Sequence, residues 1–332
     1  MDAQRWLVDL QHLLARGDPA VLVTVAHVEG PAPRESGARM IVTRDATRHT
    51  VGGGYLELRA IEIARQLLRE GARTPRRLQR LTPEPEDGAL GASVVSLAFE
   101  RLSIADLGWV SSLLKRLGQA QASLRSVDLG SADPVMLSDT ETGVAAADCL
   151  LWDTAGTTDG TGPLLTETIA PIDFHIMLFG AGHVGNALVQ VLATLDCRVS
   201  WIDPRKAQFP RQLPENVKAV LADDPLTQVA AAPPGAYFVV ATSSHILDND
   251  LVERIVLRAD YAYLGVIGSR TKRAGLEHRL AARGIDPIQI ARIHCPIGID
   301  SIRDKAPQSI AVSVAAQLLS VRDHPHHFPH AS

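Results

Sequence analysis

The sequence predicts an α/β protein with a C-terminal Rossmann-type, doubly wound parallel sheet and a separate N-terminal α+β domain. Two observations support this prediction. Residues 174–205 read as strand, glycine-rich turn, helix, strand and acid, and apolar runs alternate with helical patterns after them. The N-terminal part instead mixes helices with strand-like runs rich in β-branched residues, such as VLVTVAHV over 21–28. We expect domains over 1–165 and 172–320, followed by a disordered tail over 321–332.

Composition and charge narrow the class of protein. The chain has 332 residues, of which 46% are hydrophobic and 21% charged, as is typical of a soluble two-domain protein. A net charge of −4 argues against nucleic acid as a partner. No apolar run reaches the roughly 18 residues that a membrane span needs, and the acidic, amphipathic N-terminus is unlike a signal peptide. The three widely spaced cysteines favour neither a disulfide framework nor a zinc site, so we expect a cytoplasmic protein.

The glycines of residues 180–185 fit the G-x-G-x-x-G pattern of dinucleotide-binding turns. Gly180 permits a sharp turn, Gly182 leaves room for a pyrophosphate, and Gly185 lets the helix pack close to the sheet. His183 lies inside this turn, where it either packs or touches the phosphate. Asp203 lies 18 residues after Gly185, where a carboxylate can accept hydrogen bonds from a ribose diol. The pattern predicts a nucleotide site, although this fold can persist without its ligand.

Basic and polar residues follow the other predicted strand ends. Ligands of such sheets bind beyond the carboxyl ends of the strands, and Arg205, Ser269 and Arg270 all lie there. They favour an anionic ligand such as a phosphate or pyrophosphate. Because Asp203 favours an unphosphorylated ribose while Arg205 can accept a 2′-phosphate, the residues leave both NAD and NADP open.

A run of three glycines, Gly52, Gly53 and Gly54, precedes a helix that we predict over 58–70. Such a run has a high entropic cost on folding and is typical of places that need positive φ or the close approach of a ligand. Glu57 at the helix start can bond a ligand N–H or complement the helix dipole, and both interpretations stay open.

Several segments together carry a resemblance to a known family. In the first domain they are VLVTVAHVEGPAPRESGARMIV and VGGGYLELRAIEIAR. In the second they are LFGAGHVGNALVQVLATL, WIDPR, YLGVIGSRTKRAGLEHRL, IHCPIGIDS and PQSIAVSVAAQLL. With these segments, which cover roughly residues 5–320, the chain resembles the XdhC/CoxI family of xanthine dehydrogenase accessory proteins.

The resemblance implies a carrier of the molybdenum cofactor that has no turnover of its own. Such a protein binds molybdopterin cofactor, holds it while a cysteine desulfurase helps to install the sulfido ligand, and delivers it to apo xanthine dehydrogenase. Arg34, Arg39 or Arg270 would pair with the cofactor phosphate, Glu57 would accept from the pterin edge, and Cys295 would offer a soft contact to the metal dithiolene. We expect a homodimer by default.

The chain departs from the family at one place, and other functions compete with the carrier. The family's Cys-Cys-Gly-Gly stretch is replaced by ALGASVVS over 89–96, which leaves Cys295 as the motif-matched thiol unless it is simply a buried apolar residue. An NAD(P)-dependent oxidoreductase is the alternative, with His183 or His245 as the acid or base. A docking scaffold with empty pockets is the third hypothesis.

Overall fold

The computed structural model describes residues 4–71, 75–82, 94–140, 149–152 and 162–323, and the chain divides into two compact units between Pro171 and Ile172. The elements of the N-terminal unit, in chain order, are α1 (Arg5–Ala15), β1 (Ala20–Glu29), β2 (Arg39–Val42), β3 (Thr47–His49), α2 (Gly54–Glu70), β4 (Arg76–Leu81), β5 (Val94–Leu102), α3 (Leu107–Gly118), β6 (Ser123–Asp128), β7 (Met136–Asp139), β8 (Cys149–Trp152) and β9 (Leu164–Ile169).

Two antiparallel sheets form the framework of the N-terminal unit. The first has strand order β3-β2-β1-β5-β4 and the second β7-β6-β9-β8. Strand β1 lies in the middle of the first sheet and is buried on both faces, because successive side chains point to opposite sides. Val21 and Val23 pack in the cluster that contains the apolar face of α2, whereas Leu22 packs in the cluster with α1 and α3.

Helix α2 begins one turn earlier than the sequence predicted. Our expected start at residue 58 is wrong, since the helix begins at Gly54. That prediction rested on the spacing of apolar residues, which does not detect the first turn of the helix. In that turn the side chain of Glu57 accepts a hydrogen bond from the N–H of Gly53.

The elements of the C-terminal unit, in chain order, are β10 (His175–Phe179), α4 (His183–Leu192), β11 (Arg198–Asp203), β12 (Val217–Leu221), α5 (Leu226–Ala231), β13 (Tyr237–Val240), α6 (His245–Arg258), β14 (Tyr263–Val266), α7 (Arg270–Ala282), α8 (Pro287–Ala291), β15 (Ile293–His294) and α9 (Pro307–Asp323). Helix α9 continues to Asp323, and residues 324–332 of the predicted tail lie outside the described residues.

A six-stranded parallel sheet confirms the predicted Rossmann-type architecture of this unit. Its order is β12-β11-β10-β13-β14-β15, with every pair parallel. The chain reverses its direction of travel across the sheet between β10 and β13, which is where ligands bind in such folds. Helices α4 and α9 pack on one face and α6 and α7 on the other, so both faces of the strands are buried.

No helix within the described ranges combines the length and the apolar composition needed to cross a bilayer. Helix α1, for example, is amphipathic: it has four buried residues on one side, which are Trp6, Leu7, Leu10 and Leu14.

Candidate functional site

Two glycines of the turn between β10 and α4 are required by the backbone around them. Gly180 has φ of +112°, and a Cβ atom there would lie 2.2 Å from the carbonyl oxygen of Ala241, which directly follows the neighbouring strand β13. A Cβ atom on Gly185 would lie 2.1 Å from the carbonyl oxygen of Gly180, which accepts a 3.0 Å hydrogen bond from Trp201 Nε1. Both glycines therefore serve the close packing of strand, turn and helix, as the sequence predicted for Gly185.

Gly182 differs from them because it faces open space. A Cβ atom there would have no neighbouring atom within 4 Å. Gly182 precedes the first residue of α4, His183, whose side chain is exposed. The side chain of Asn186 bonds the carbonyl oxygens of Ala181 and Gly182 at 2.9 and 3.0 Å, which fixes the shape of the turn. Since the amide groups of a helix N-terminus attract anions, the space beside Gly182 can admit a phosphate.

Asp203 at the end of β11 makes four hydrogen bonds. Its Oδ2 accepts from the Ala181 N–H at 2.8 Å and from Arg205 Nη2 at 2.9 Å. Its Oδ1 accepts from the N–H and the Nε of Arg205, both at 2.9 Å. Burial works against ionisation, but the bonds from Arg205 and Ala181 outweigh it and hold the pKa of Asp203 below its usual range. The carboxylate thus braces the glycine turn.

A partly buried chain of polar side chains continues from this turn to the segments after β13 and β14, and the sequence motifs did not reveal it. A Cβ atom on Gly180 would also touch Thr242, whose hydroxyl donates to Asp248 Oδ1 at 2.6 Å. Lys272 Nζ lies 2.6 Å from Asp248 Oδ2 and 2.7 Å from the carbonyl oxygen of Ile267. Only one feature of the sequence indicated this contact, which is the position of the two charged residues. Asp248 and Lys272 both lie in the first turns of helices that follow adjacent parallel strands.

The predicted residues Ser269, Arg270 and Cys295 lie together at the end of β14. Ser269 caps α7 by accepting the Lys272 N–H at 3.2 Å, and Arg270 is the exposed first residue of that helix. Cys295 Sγ lies 3.9 Å from the carbonyl oxygen of Ser269. Burial raises the pKa of Cys295, an effect that the nearby Lys272 opposes only in part, so the residue is a thiol near neutral pH.

The glycine run of the N-terminal unit forms a turn that its own helix holds. Gly52, Gly53 and Gly54 have φ of +133°, +78° and +60°. Glu57 Oε2 accepts from the Gly53 N–H at 3.1 Å and from the hydroxyl of Thr50. Through this oxygen Glu57 acts as a cap, the second of the two interpretations that the sequence left open.

Arg34 lies beside the same turn, whereas Arg39 does not. A Cβ atom on Gly52 would come within 2.6 Å of the Pro33 ring, so the loop that carries Arg34 packs on the glycine run. Arg34 pairs with Glu35 at 2.8 Å. Arg39, which the resemblance offered as a further phosphate partner, is largely buried and pairs with Glu167 at 2.6 Å, so its role is structural.

Among the described residues, no group of three or more histidine, cysteine, aspartate or glutamate side chains is arranged to hold a metal ion. The other two cysteines are also poor thiolate donors. Cys197 is buried, and burial together with the charge of Glu167 raises the pKa of Cys149 to about 12. The predicted residues thus form one cluster in the N-terminal unit and a continuous set at the carboxyl edge of the Rossmann sheet.

Comparison with known families agrees with both units. Residues 13–80 match the family model described as "XdhC and CoxI family", and residues 176–318 match the model described as "XdhC Rossmann domain". The chain belongs to the XdhC and CoxI family. The two matches include the glycine run of the first unit and all of the predicted site residues of the second.

Individual proteins give two further similarities for this XdhC/CoxI-family chain. It is 30% identical over 152 residues to the Escherichia coli protein named "Uncharacterized protein YqeB", a stretch of 45% of this chain that spans only 27% of the length of that relative. It also resembles a crystal structure from Bacillus halodurans described as that of a xanthine dehydrogenase, with TM-score 0.74 and 18% identity over 100% of this chain and 98% of the other. The second similarity concerns the fold alone.

Proposed function

We propose that this chain is a maturation factor that binds molybdopterin cofactor and delivers it to apo xanthine dehydrogenase. The observation that carries the proposal is the family match of both units, each over the segment that contains its glycine turn. In this proposal the cofactor is cargo, so the chain supplies binding and release rather than turnover.

The phosphate of the cofactor fits the open side of a glycine turn. Beside Gly182 a Cβ atom would meet nothing within 4 Å, while the flanking amides are held in place by Asp203 and Asn186. Arg270 lies exposed on the same edge of the sheet, where a guanidinium can pair with a phosphate. These features support the Rossmann unit as a phosphate-binding part of the carrier.

The turn of the N-terminal unit offers a surface for the flat pterin. Tyr55 and Leu58, in the first turns of α2, are 50% and 65% exposed although they are large and apolar. The capping bonds of Glu57 to described residues use Oε2 alone, which leaves Oε1 for the N–H groups of a pterin edge. Polar groups beside an exposed apolar surface are typical of small-molecule sites.

The thiols do not suggest ligation of molybdenum by the protein. Burial raises the pKa of both Cys149 and Cys295, and a metal ligand must be a thiolate. We therefore propose that a cysteine desulfurase modifies the cofactor while the chain holds it through its phosphate and pterin, and that a homodimer is the working form.

An anaerobic titration with molybdopterin cofactor tests this function. We expect stoichiometric binding that survives gel filtration, and Gly182→Val should weaken it by filling the open space. Gly275→Val is the matched control, because Gly275 also faces open space but lies within α7. Failure of the unaltered protein to retain the cofactor, or equal binding by Gly182→Val and Gly275→Val, would count against the proposal.

A further inference from the structure

Asp203 occupies the position of the acid that binds the ribose in many Rossmann folds, but its hydrogen-bond acceptor positions are already occupied by protein donors. An ionised carboxylate has about four acceptor positions, and Asp203 accepts four hydrogen bonds: from the Ala181 N–H and from the N–H, Nε and Nη2 of Arg205. The residue is only 2% exposed. A ribose diol, which needs a carboxylate acceptor, would have to displace the Arg205 guanidinium to reach it.

Arg205 offers the opposite chemistry to an incoming ligand. Its side chain is 46% exposed. Its side-chain hydrogen bonds to described residues are made by Nε and Nη2, and Nη1 takes part in none of them. A guanidinium pre-oriented on one edge and open on the other suits a phosphate, which accepts parallel N–H bonds. Asp203 thus acts as the support of the cation rather than as the acceptor of a sugar.

We propose that the carboxyl end of β11 selects a ligand with a phosphorylated ribose, of the 2′-phosphoadenosine class, and discriminates against a free ribose diol. Arg205 is the residue that determines this specificity, and Asp203 positions it. The inference goes beyond the proposed function, since it concerns a nucleotide at the Rossmann edge and holds whether or not molybdopterin cofactor binds the chain.

Calorimetric titration of the full chain with NADP⁺ and NAD⁺ tests the selectivity. These two probes differ only in the 2′-phosphate. We expect NADP⁺ to bind roughly tenfold to a hundredfold more tightly, the range for hydrogen bonds to a charged group. Equal affinity, tighter binding of NAD⁺, or binding of neither dinucleotide would overturn the inference.

Two variants assign the selectivity to a residue. Arg205→Ala should weaken NADP⁺ binding about tenfold or more and strengthen NAD⁺ binding, because Asp203 is then released to accept from the diol. Lys206→Ala removes one neighbouring positive charge that makes no bond to Asp203, and it should leave the NADP⁺/NAD⁺ ratio within about twofold. A ratio that is unchanged in Arg205→Ala, with the thermal midpoint of that variant retained, would also overturn the inference. Molybdopterin titrations of the same variants report on the proposed function separately.

Discussion

Lys272 Nζ lies 2.6 Å from Asp248 Oδ2 and ties the segment after β13 to the segment after β14. Asp248 is 1% exposed, and it also holds Thr242 through Oδ1. The same ammonium donates to the Ile267 carbonyl oxygen. This ion pair therefore fixes the part of the polar edge of the Rossmann sheet that follows β13 and β14.

Removing the cation of this pair should destabilise the C-terminal unit strongly. Lys272→Met leaves the Asp248 carboxylate buried without its counter-ion, so we expect a loss of about 3 kcal/mol or more in the free energy of unfolding. Urea titration followed by circular dichroism measures it. Arg59→Ala is the control, since its pair with Glu62 is exposed on both sides and should contribute at most about 0.5 kcal/mol. Equal losses of unfolding free energy in the two variants would contradict a stabilising role for the buried Lys272–Asp248 pair.

Gly182 and Gly185, at the start of α4, should respond very differently to an added methyl group. Gly185→Ala places a Cβ atom 2.1 Å from a backbone oxygen, so we expect about 2 kcal/mol or more of destabilisation. Gly182→Ala meets no atom within 4 Å and should change stability by no more than about 0.5 kcal/mol. Differential scanning calorimetry compares the two. A stable Gly185→Ala protein would show that strand and helix are less closely packed than these distances indicate.

The Rossmann unit could be predicted because its signals are local. The apolar runs, the glycine spacing and Asp203 lie within one short stretch, which is enough to predict a βαβ unit and a parallel sheet. The role of Asp203 could not be predicted, since it depends on which donor fills the carboxylate. Sequence spacing places Arg205 two residues away but does not say that its side chain folds back. The pairing of Asp248 with Lys272 could not be predicted either, because these residues lie on different helices and are 24 positions apart in the chain.

The stability of the C-terminal unit should fall in mild acid through His294. Burial, reinforced by the charge of Arg273, lowers the pKa of His294 to about 4, below the value near 6.5 of an unfolded histidine. The folded state thus favours the neutral ring. Its contribution is complete above about pH 6.5 and is lost as the pH falls toward 4, by up to about 3 kcal/mol.

Urea unfolding between pH 4 and pH 8 measures this effect. His294→Phe keeps a ring against Tyr263, on which His294 stacks at 4.9 Å, and removes the titration. We expect a shallower pH dependence in the variant. Because carboxylates such as Asp203 also titrate at low pH, the difference between the two proteins isolates His294. Identical slopes between pH 6.5 and pH 4 would argue against a neutral buried histidine.

The cysteines should resist alkylation in the folded protein. With its pKa near 12, Cys149 is ionised in only about one molecule in ten thousand at pH 8. Burial raises the pKa of Cys295, and Cys197 is buried. Iodoacetamide labelling followed by mass spectrometry should be much slower in buffer than in denaturant. Rapid labelling of Cys295 in the native protein would show that its thiol is reactive, and it would again favour the hypothesis that Cys295 contacts the metal of the cofactor.

The N-terminal unit was harder to predict than the Rossmann unit because its pairings are long-range. The short strand β9 pairs with β6 and β8, and its Glu167 is buried against Arg125 at 2.6 Å. From the sequence alone, a charged residue such as Glu167 is expected to be exposed, and its burial can be predicted only when its partner of opposite charge is known. The glycine run and Glu57 were recognised as a feature, but the choice between cap and ligand needed the hydrogen bonds.

Delivery of molybdopterin cofactor to an apo-enzyme is the property that defines the proposed carrier. It can be tested by loading the purified chain with the cofactor under anaerobic, reducing conditions, re-isolating it, and mixing it with apo xanthine dehydrogenase. We predict that xanthine oxidation appears in proportion to the loaded chain and falls with Gly182→Val but not with Gly275→Val. No activation by a chain that demonstrably holds the cofactor would contradict the delivery function.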